Sequence, residues 1–369
     1  MSRELHIVNV VGARPNFMKV APLMREYAGF PGQIRATLVH TGQHYDDGMS
    51  SVFFSELKIP EPDFWFGVGS GSHATQTAEI MKHFEKVVSD LHPDLVLVVG
   101  DVNSTLAASL VAAKMCIPVA HVEAGLRSKD RTMPEEINRI VTDSLSDFLF
   151  TTSRDANVNL IREGVDEKKI HFVGNTMIDT LSIMKPLLDS STIAQDLGLQ
   201  EGPYAYMTLH RPSNVDNRET LAGICEAVLE LQKSIRMVWP LHPRTRKMLA
   251  SFNLLTLLEN AEGITLCEPV GYLDSLRLMA HASFVLTDSG GIQEETTVLG
   301  IPCLTLRENT ERPVTVLEGT NEVIGSRREV VLQKSRRLLA GEKRLGRIPE
   351  LWDGHASKRI VQILLSRLA

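Results

Sequence analysis

Residues 284–306 read FVLTDSGGIQEETTVLGIPCLTL, and this stretch predicts the fold class of the chain. An apolar run precedes the turn DSGG (288–291), a helix-compatible run follows it, and a second apolar run comes after GIP (300–302). This order of strand, tight turn, helix and strand is the repeating unit of a parallel sheet. Small residues at the start of the helix let backbone N–H groups face a phosphate, although a capped turn that binds nothing has the same pattern.

The same alternation of apolar strands and helices runs through the whole chain. The first half begins with a strand at residues 5–11, and the alternation of strands and helices starts again at about residue 204. Apolar strands separated by helices indicate parallel sheets that are covered on both faces. We therefore predict an α/β protein of two Rossmann-like, doubly wound domains. Residues 1–175 form the first and residues 176–354 the second, with a C-terminal helix at 355–369 that joins the first domain.

The bulk composition is that of a soluble globular protein. Of 369 residues, 43% are hydrophobic and 23% are charged, and the net charge is −6. These values predict no nucleic-acid or membrane partner. We find neither a signal-peptide pattern nor an apolar run long enough to span a membrane. The four widely spaced cysteines indicate reduced core thiols, so we expect a cytoplasmic protein.

Sequence motifs for several common activities are absent. No GxGxxG follows the first strand and no GxxxxGK[ST] occurs, which argues against a tightly bound NAD or a P-loop nucleotide. The 12 histidines show no HExxH or clustered Cys/His spacing, and no GxSxG elbow of a serine hydrolase is present. We therefore predict neither a cofactor nor a metal.

Polar residues follow the predicted strands, at the edge of a parallel sheet where ligands bind. In the first half they include the carboxylates Asp101, Glu123 and Glu135. Each carboxylate alone is compatible with a structural role such as helix capping. Carboxylates that converge on one cleft can instead transfer protons, because crowding and partial desolvation raise their pKa values.

Cations and histidines occupy similar places at other strand ends. Arg14 and Lys19 lie near the first glycine turn and suit a phosphate or a sugar acid, although charge at a helix start is the alternative. His210 and His242 follow strands in the second half. A histidine there can neutralise a leaving phosphate, or it can be a hydrogen-bonded loop residue.

A set of motifs covers nearly the whole chain in a fixed order. They are GARPNFMKVAPL, TGQH, GDVNSTLA, HVEAGLRS, MPEEINR, TLHRPSNVDN, LTDSGGIQEE and ERPVTVLEGTN. With them the sequence resembles the non-hydrolysing UDP-N-acetylglucosamine 2-epimerases of bacteria and archaea. The resemblance implies the glycosyltransferase-B architecture of two Rossmann-like domains, an active site in the interdomain cleft, and a homodimer.

The resemblance also implies roles for the residues that match these motifs. The family's catalytic carboxylates match Asp101, Glu123 and Glu135, and its strand-end histidine matches His210. Glu295 is expected to hold the uridine ribose. The predicted substrate-binding set consists of Arg14, Lys19, Arg139, His242, Ser289, Gly290, Gly291, Glu295 and Arg312.

Some bacterial members are activated by a second UDP-N-acetylglucosamine molecule. The positions that match this allosteric site include Gln43, His44, Gln76 and Arg211. The Tyr-Asp-Asp that follows His44 departs from the bacterial pattern, which puts such regulation in doubt here.

The implied reaction is reversible epimerisation at C2 of UDP-N-acetylglucosamine, giving UDP-N-acetylmannosamine for cell-surface polysaccharide synthesis. Departure of UDP from C1 makes loss of the C2 proton feasible and leaves 2-acetamidoglucal, and re-addition inverts the centre. Because no hydride moves, the reaction needs no nicotinamide. The alternatives are an epimerase of a diacetamido-glucuronate or N-acetylfucosamine precursor, a hydrolysing epimerase, a glycosyltransferase of the same architecture, and a UDP-sugar sensor.

Overall fold

The structure is a computed structural model that describes residues 4–42 and 54–368. Gln43 and His44 therefore lie outside the described residues. The chain divides into two compact units. The first unit comprises Met1–Ile183 with Glu350–Ala369, and the second comprises Met184–Pro349. The division falls at the last residue of a helix, whereas the sequence placed it after residue 175.

The first unit is built on a seven-stranded parallel sheet. Its strands are β1 (Leu5–Val11), β2 (Ile34–His40), β3 (Phe64–Trp65), β4 (Leu95–Val99), β5 (Val119–Ala124), β6 (Phe148–Thr151) and β7 (Ile170–Phe172). Their spatial order is β3-β2-β1-β4-β5-β6-β7. The chain thus winds outward in opposite directions from β1 and β4, and the edge above these two strands is a topological switch point where ligands bind in such folds.

Helices cover both faces of this sheet. They span Arg14–Tyr27, His73–Leu91, Asn103–Lys114, Pro134–Leu145, Arg154–Arg162, Thr176–Met184 and Ala356–Leu368, with a 3₁₀ turn at Glu167–Lys169. Strand β4 is buried on both sides, since Leu97 packs into one hydrophobic cluster and Val96 and Val98 into the other. This double burial explains why β4 reads as an unbroken apolar run.

The C-terminal helix packs against the core of the first unit. Ile360, Val361 and Leu364 are fully buried in the same cluster as Leu97. The carboxylate of Asp179 accepts hydrogen bonds from the backbone N–H groups of Ala356 at 3.0 Å and Ser357 at 2.6 Å. A side chain distant in sequence therefore supplies the N-terminal cap of this helix.

The second unit is built on a six-stranded parallel sheet. Its strands are β8 (Tyr204–Thr208), β9 (Arg236–Pro240), β10 (Ile264–Cys267), β11 (Val285–Thr287), β12 (Cys303–Thr305) and β13 (Asn321–Val323). Their spatial order is β10-β9-β8-β11-β12-β13, which places the switch point between β8 and β11. The stretch at 284–306 forms the predicted strand, turn, helix and neighbouring parallel strand.

Nine helices of the second unit lie within the described residues. They span Ile193–Asp196, Pro212–Val215, Arg218–Leu231, Pro243–Ser251, Leu255–Glu259, Tyr272–Ala280, Gly290–Leu299, Pro313–Leu317 and Arg328–Leu339, after a 3₁₀ turn at Lys185–Ser190. Across the parts of both units that the structure describes, no helix combines the length and the apolar character needed to cross a membrane.

Candidate active site

Asn16 organises the edge of the first sheet at its switch point. Its Oδ1 accepts hydrogen bonds from the backbone N–H groups of Gly12 at 3.0 Å and Ala13 at 3.1 Å. Its Nδ2 donates to the carbonyl oxygen of Val99 at 3.0 Å. One side chain thus joins the turn after β1 to the end of β4. The sequence prediction gave Asn16 no role, although an asparagine in a glycine turn is a signal for such bonds.

Glu123 and Lys19 form a buried ion pair at the same edge. The side chain of Glu123 is 5% exposed and that of Lys19 is 7% exposed. Glu123 has a φ of 74°, in the left-handed region, and the pairing of β5 with β6 shifts register around it. A non-glycine residue in this conformation costs roughly 1–2 kcal/mol. Such strain is typical of functional sites, and the bulge directs the carboxylate toward Lys19.

Gly100 makes room for this ion pair. A Cβ atom at Gly100 would lie 2.9 Å from Nζ of Lys19, and the glycine has a φ of 68°. A side chain here would therefore have to displace the lysine. The backbone directly before Asp101 approaches the ion pair closely because this position has no side chain.

Arg139 pairs with Asp101 and Glu136. Its NH2 lies 2.7 Å from Glu136 Oε2, and its NH1 pairs with Asp101. Glu136 also accepts hydrogen bonds from the backbone N–H groups of Ser128 and Lys129, both at 2.9 Å. Burial raises the pKa of Glu136, but the hydrogen bonds from Arg139 and Ser128 more than offset it and bring the pKa below its ordinary value.

The two adjacent acids of the PEE motif therefore differ in their surroundings. Glu136 is 1% exposed and held as a carboxylate, whereas Glu135 is half-buried. Arg14 is also half-buried, at the start of helix Arg14–Tyr27. The first unit thus brings Lys19 and Glu123 together, and Asp101 and Arg139 together.

In the second unit, Asp288 orients His210. Nδ1 of His210 lies 3.0 Å from Asp288 Oδ1, and the His210 side chain is 41% exposed. Asp288 is fully buried and also accepts hydrogen bonds from the backbone N–H of Arg211 at 2.8 Å and from Asn214 Nδ2 at 3.1 Å. Burial raises the pKa of Asp288, but His210 and these hydrogen bonds lower it below its ordinary value. An ionised Asp288 is an acceptor, so it holds the proton of His210 on Nδ1.

His242 lies beside His210. The centroids of the two rings are 5.7 Å apart. His242 is exposed, and its Nδ1 accepts a hydrogen bond from the backbone N–H of Arg244 at 3.2 Å. The two predicted histidines are therefore neighbours in the structure.

The DSGG turn ends where helix Gly290–Leu299 begins, and Arg312 lies against that end. A Cβ atom at Gly290 would lie 2.5 Å from NH1 of Arg312. Nε of Arg312 lies 2.8 Å from Glu294 Oε1, and its NH1 lies 2.6 Å from Glu311 Oε1. The guanidinium is thus fixed beside a helix N-terminus, and both favour an anion. Ser289 and Gly291, on either side of Gly290, are half-buried.

Glu295 is bound by a tyrosine that the sequence prediction did not identify. The hydroxyl of Tyr272 donates to Glu295 Oε1 at 2.7 Å. Burial, and then the neighbouring Glu295 carboxylate, raise the pKa of Tyr272 well above its usual value. The hydroxyl therefore keeps its proton and can act as the donor. Tyr272 follows a glycine at a helix start, which gave no signal of this partner.

The positions predicted for allostery lie in different surroundings. Gln76 is buried in the first unit, where its Oε1 accepts from Asn103 Nδ2 at 2.7 Å and its Nε2 donates to the carbonyl of Gly69 at 2.8 Å. Arg211 lies in the second unit beside Asp288, and its NH2 is 3.6 Å from Glu311. The described residues contain no group of three or more His, Cys, Asp or Glu side chains arranged to hold a metal ion.

Comparisons with known proteins give the family. The family model for "UDP-N-acetylglucosamine 2-epimerase" matches residues 31–365. The chain is 43% identical to the UDP-N-acetylglucosamine 2-epimerase of Methanocaldococcus jannaschii, over 96% of this chain and 97% of that protein. It is 39% identical to the UDP-2,3-diacetamido-2,3-dideoxy-D-glucuronate 2-epimerase of Pseudomonas aeruginosa, over 98% of this chain and 99% of that protein.

A solved structure shows the same fold. The crystal structure of the M. jannaschii enzyme in complex with UDP-GlcNAc and UDP matches with a TM-score of 0.92 and 41% identity, over 98% of this chain and 100% of that chain. This match confirms the predicted fold class of two Rossmann-like domains. The chain belongs to the UDP-N-acetylglucosamine 2-epimerase family and is an epimerase.

Proposed function

We propose that this epimerase interconverts UDP-N-acetylglucosamine and UDP-N-acetylmannosamine by reversible elimination of UDP. In the forward direction the C1–O bond breaks, UDP departs with the bonding electrons, and the C2 proton moves to a carboxylate. The electrons of the C2–H bond form the C1=C2 double bond of 2-acetamidoglucal. Return of UDP to C1 and of a proton to the other face of C2 completes the inversion.

The observation that carries this proposal is the strained, buried Glu123 beside Lys19. A carboxylate inside a sheet edge is hard to explain by packing, and its left-handed backbone costs stability. Lys19 gives this carboxylate a buried cationic partner at the place where the proposal puts the proton acceptor. Asp101, paired with Arg139, and the half-buried Glu135 are the further groups for proton transfer.

The second unit supplies the groups for the departing diphosphate. The N-terminus of helix Gly290–Leu299 and the fixed guanidinium of Arg312 favour the negative charge that develops when UDP leaves. His210 carries its Nδ1 proton toward Asp288, which leaves Nε2 to interact with the phosphate. In this proposal Glu295, oriented by Tyr272, binds the ribose hydroxyls.

Proton NMR in deuterium oxide tests the reaction. We expect the protein to incorporate deuterium at C2 of UDP-N-acetylglucosamine while UDP-N-acetylmannosamine appears. We also expect Glu123→Gln to bind UDP normally but to lose this exchange. Normal exchange in Glu123→Gln contradicts the role of Glu123. Unchanged substrate with the wild-type chain contradicts this choice of sugar, and accumulation of free N-acetylmannosamine indicates a hydrolysing enzyme instead.

The P. aeruginosa relative supports a second candidate substrate. That protein is named as an epimerase of UDP-2,3-diacetamido-2,3-dideoxy-D-glucuronate, and it is nearly as similar to this chain as the M. jannaschii enzyme is. The same elimination chemistry applies to both sugars, because each carries UDP at C1 and a hydrogen beside the acetamido group at C2. Parallel exchange assays with the two UDP-sugars decide between them, and the preferred substrate is the one with the higher kcat/KM.

Two further proposals concern the context of the enzyme. We propose that it functions as a homodimer in the cytoplasm and that its product serves cell-surface polysaccharide synthesis. Both follow from the family resemblance and the full-length match to the relatives. Light scattering on the purified protein measures the first, and a mass of one chain contradicts it.

A further inference from the structure

A buried network of charged groups lies beneath the carboxylates of the first unit. It consists of His121, Asp143 and Arg127, which are all less than 10% exposed. Asp143 Oδ1 lies 2.6 Å from Nδ1 of His121, and its Oδ2 lies 2.7 Å from NH1 of Arg127. Arg127 also donates from Nε and NH2 to Glu163 at 2.9 and 2.6 Å. The proposed reaction assigns no role to any of these side chains.

The buried network holds the backbone on both sides of the proposed proton-transfer groups. Nε2 of His121 lies 2.8 Å from the carbonyl oxygen of Gly100, the residue before Asp101. Asp143 Oδ2 accepts a hydrogen bond at 3.1 Å from the backbone N–H of Gly125, two residues after Glu123. Asp143 itself lies on helix Pro134–Leu145, which also carries Glu135. The network therefore joins the three chain segments that bear these carboxylates.

The charges of the network are mutually compatible. Nδ1 of His121 faces a carboxylate oxygen of Asp143 and Nε2 faces the carbonyl oxygen of Gly100, so each ring nitrogen has an oxygen partner. Burial raises the pKa of Asp143, but His121 and Arg127 more than offset this effect and lower the pKa below its ordinary value. A buried charged network of this kind adds little stability compared with apolar residues of similar volume. Stability alone is therefore a poor explanation for it.

We infer that His121 and Asp143 are positioning residues, which hold Asp101, Glu123 and Glu135 in their reactive arrangement. The inference rests on the proposed function. The left-handed conformation of Glu123 needs firm support on both sides. Gly125 on one side is bonded to Asp143, and the carbonyl of Val122 on the other accepts from the backbone N–H of Gly100 at 3.1 Å. Loss of this support displaces reacting groups without removing any of them.

Asp143→Asn tests the inference, with Asp147→Asn as its matched control. Asp147 accepts a hydrogen bond at 3.1 Å from the backbone N–H of Val119, at the opposite end of β5. We expect Asp143→Asn to lower kcat and the rate of deuterium incorporation at C2 on the order of 10²-fold, because small misplacements of reacting groups have effects of this size. We expect KM, UDP affinity and the rates of the control to stay near wild type.

His121 gives a second, independent pair of variants. In His121→Gln the amide nitrogen replaces Nε2 and keeps a donor for the Gly100 carbonyl, whereas in His121→Asn it replaces Nδ1 and keeps a donor only for Asp143. If the network positions Asp101, the glutamine variant retains a higher kcat than the asparagine variant at equal thermal stability. If Asp143→Asn does not fold, this pair of variants still tests whether the network positions Asp101.

The outcomes separate this inference from the proposed function. Absence of exchange with either UDP-sugar in the wild-type protein contradicts the proposed function, and the inference fails with it. An active wild type together with an Asp143→Asn variant as fast as the control overturns the inference alone. The inference is also overturned if the difference in kcat between the two His121 variants is accounted for by the difference in their thermal stability.

Discussion

Asp288 and His210 form a hydrogen-bonded pair in which one partner is fully buried and the other is partly exposed. The two atoms, Asp288 Oδ1 and His210 Nδ1, are 3.0 Å apart. The carboxylate also accepts hydrogen bonds within 3.1 Å from three further donors, the backbone N–H groups of His210 and Arg211 and Nδ2 of Asn214. Asp288 is thus held rigidly, and the ring of His210 stays accessible to a substrate. A histidine that transfers a proton or stabilises charge requires both.

We expect Asp288→Asn to lower kcat by about 10²-fold or more, because an asparagine does not replace the carboxylate oxygen that faces Nδ1 of His210 and fixes its tautomer. The pH profile of kcat should also change, while KM changes less. Steady-state kinetics over a pH series measures both effects. Asp216→Asn is the control, since Asp216 pairs with Arg244 at an exposed position of the same unit. Equal kcat values for the two variants exclude Asp288 as an orienting residue.

Because the backbone at Glu123 is strained, we expect a glycine at this position to be more stable than an alanine. Both Glu123→Gly and Glu123→Ala remove the partner of Lys19, but glycine accepts a φ of 74° without penalty. We therefore expect the glycine variant to be more stable than the alanine variant by about 1 kcal/mol in urea denaturation. At Glu79, within helix His73–Leu91, the order should reverse. The same order at both positions would contradict strain at Glu123.

Gly290→Ala should weaken UDP binding. The new methyl group would lie 2.5 Å from NH1 of Arg312 and 3.1 Å from Glu311 Oε1, so the guanidinium has to move. We expect a loss of affinity of roughly tenfold or more, as for the loss of one charge-assisted hydrogen bond. Isothermal titration with UDP measures it. Gly223→Ala is the control, because the nearest heavy atom to its Cβ is 3.9 Å away, and equal affinity in the two variants places the phosphate elsewhere.

His40 makes the stability of the first unit depend on pH. Burial lowers the pKa of His40 from 6.5 to about 4, and its ring stacks 4.0 Å from that of Trp65. The unfolded chain therefore binds more protons than the folded chain between these pH values, so the free energy of unfolding falls as the pH falls from 6.5 to 4. The contribution is about 3 kcal/mol.

The variant His40→Asn should lose this part of the pH dependence. Urea denaturation at pH 7 and pH 4.5 measures the difference, with the exposed His355→Asn as control. If His40→Asn and the wild type lose the same stability over this range, the buried ring is not the source of the effect.

Much of the fold was predictable because its strands are apolar runs bounded by turn residues. Strand β1 has the predicted bounds, residues 5–11, and the C-terminal helix predicted at 355–369 forms at Ala356–Leu368. Strand β3 was not predicted, because Phe64–Trp65 lies in a stretch rich in proline and glycine and forms a strand only by pairing with β2. Helix Arg14–Tyr27 begins within the motif GARPNFMKVAPL, since proline fits the first turn of a helix.

The candidate site was predictable in its residue types but not in its pairings. That acids and histidines follow the strands is visible in the sequence, whereas the left-handed backbone of Glu123 depends on tertiary contacts. One sequence pattern does indicate the buried network. Helix Pro134–Leu145 repeats Glu136, Arg139 and Asp143 at spacings of three and four, so one face of the helix is charged and, in the structure, buried. A charged stripe on a buried face indicates a polar network rather than a solvent-facing surface.

The cap that Asp179 provides for helix Ala356–Leu368 has a consequence for biosynthesis. The helix completes the core of the first unit, yet the ribosome makes it only after the whole second unit. The second unit can therefore reach its native state during translation, whereas the first unit cannot complete its core until residues 356–368 have left the ribosome. Premature termination near residue 350 should then yield a product whose early-synthesised half is the aggregation-prone one, because its apolar surface stays exposed.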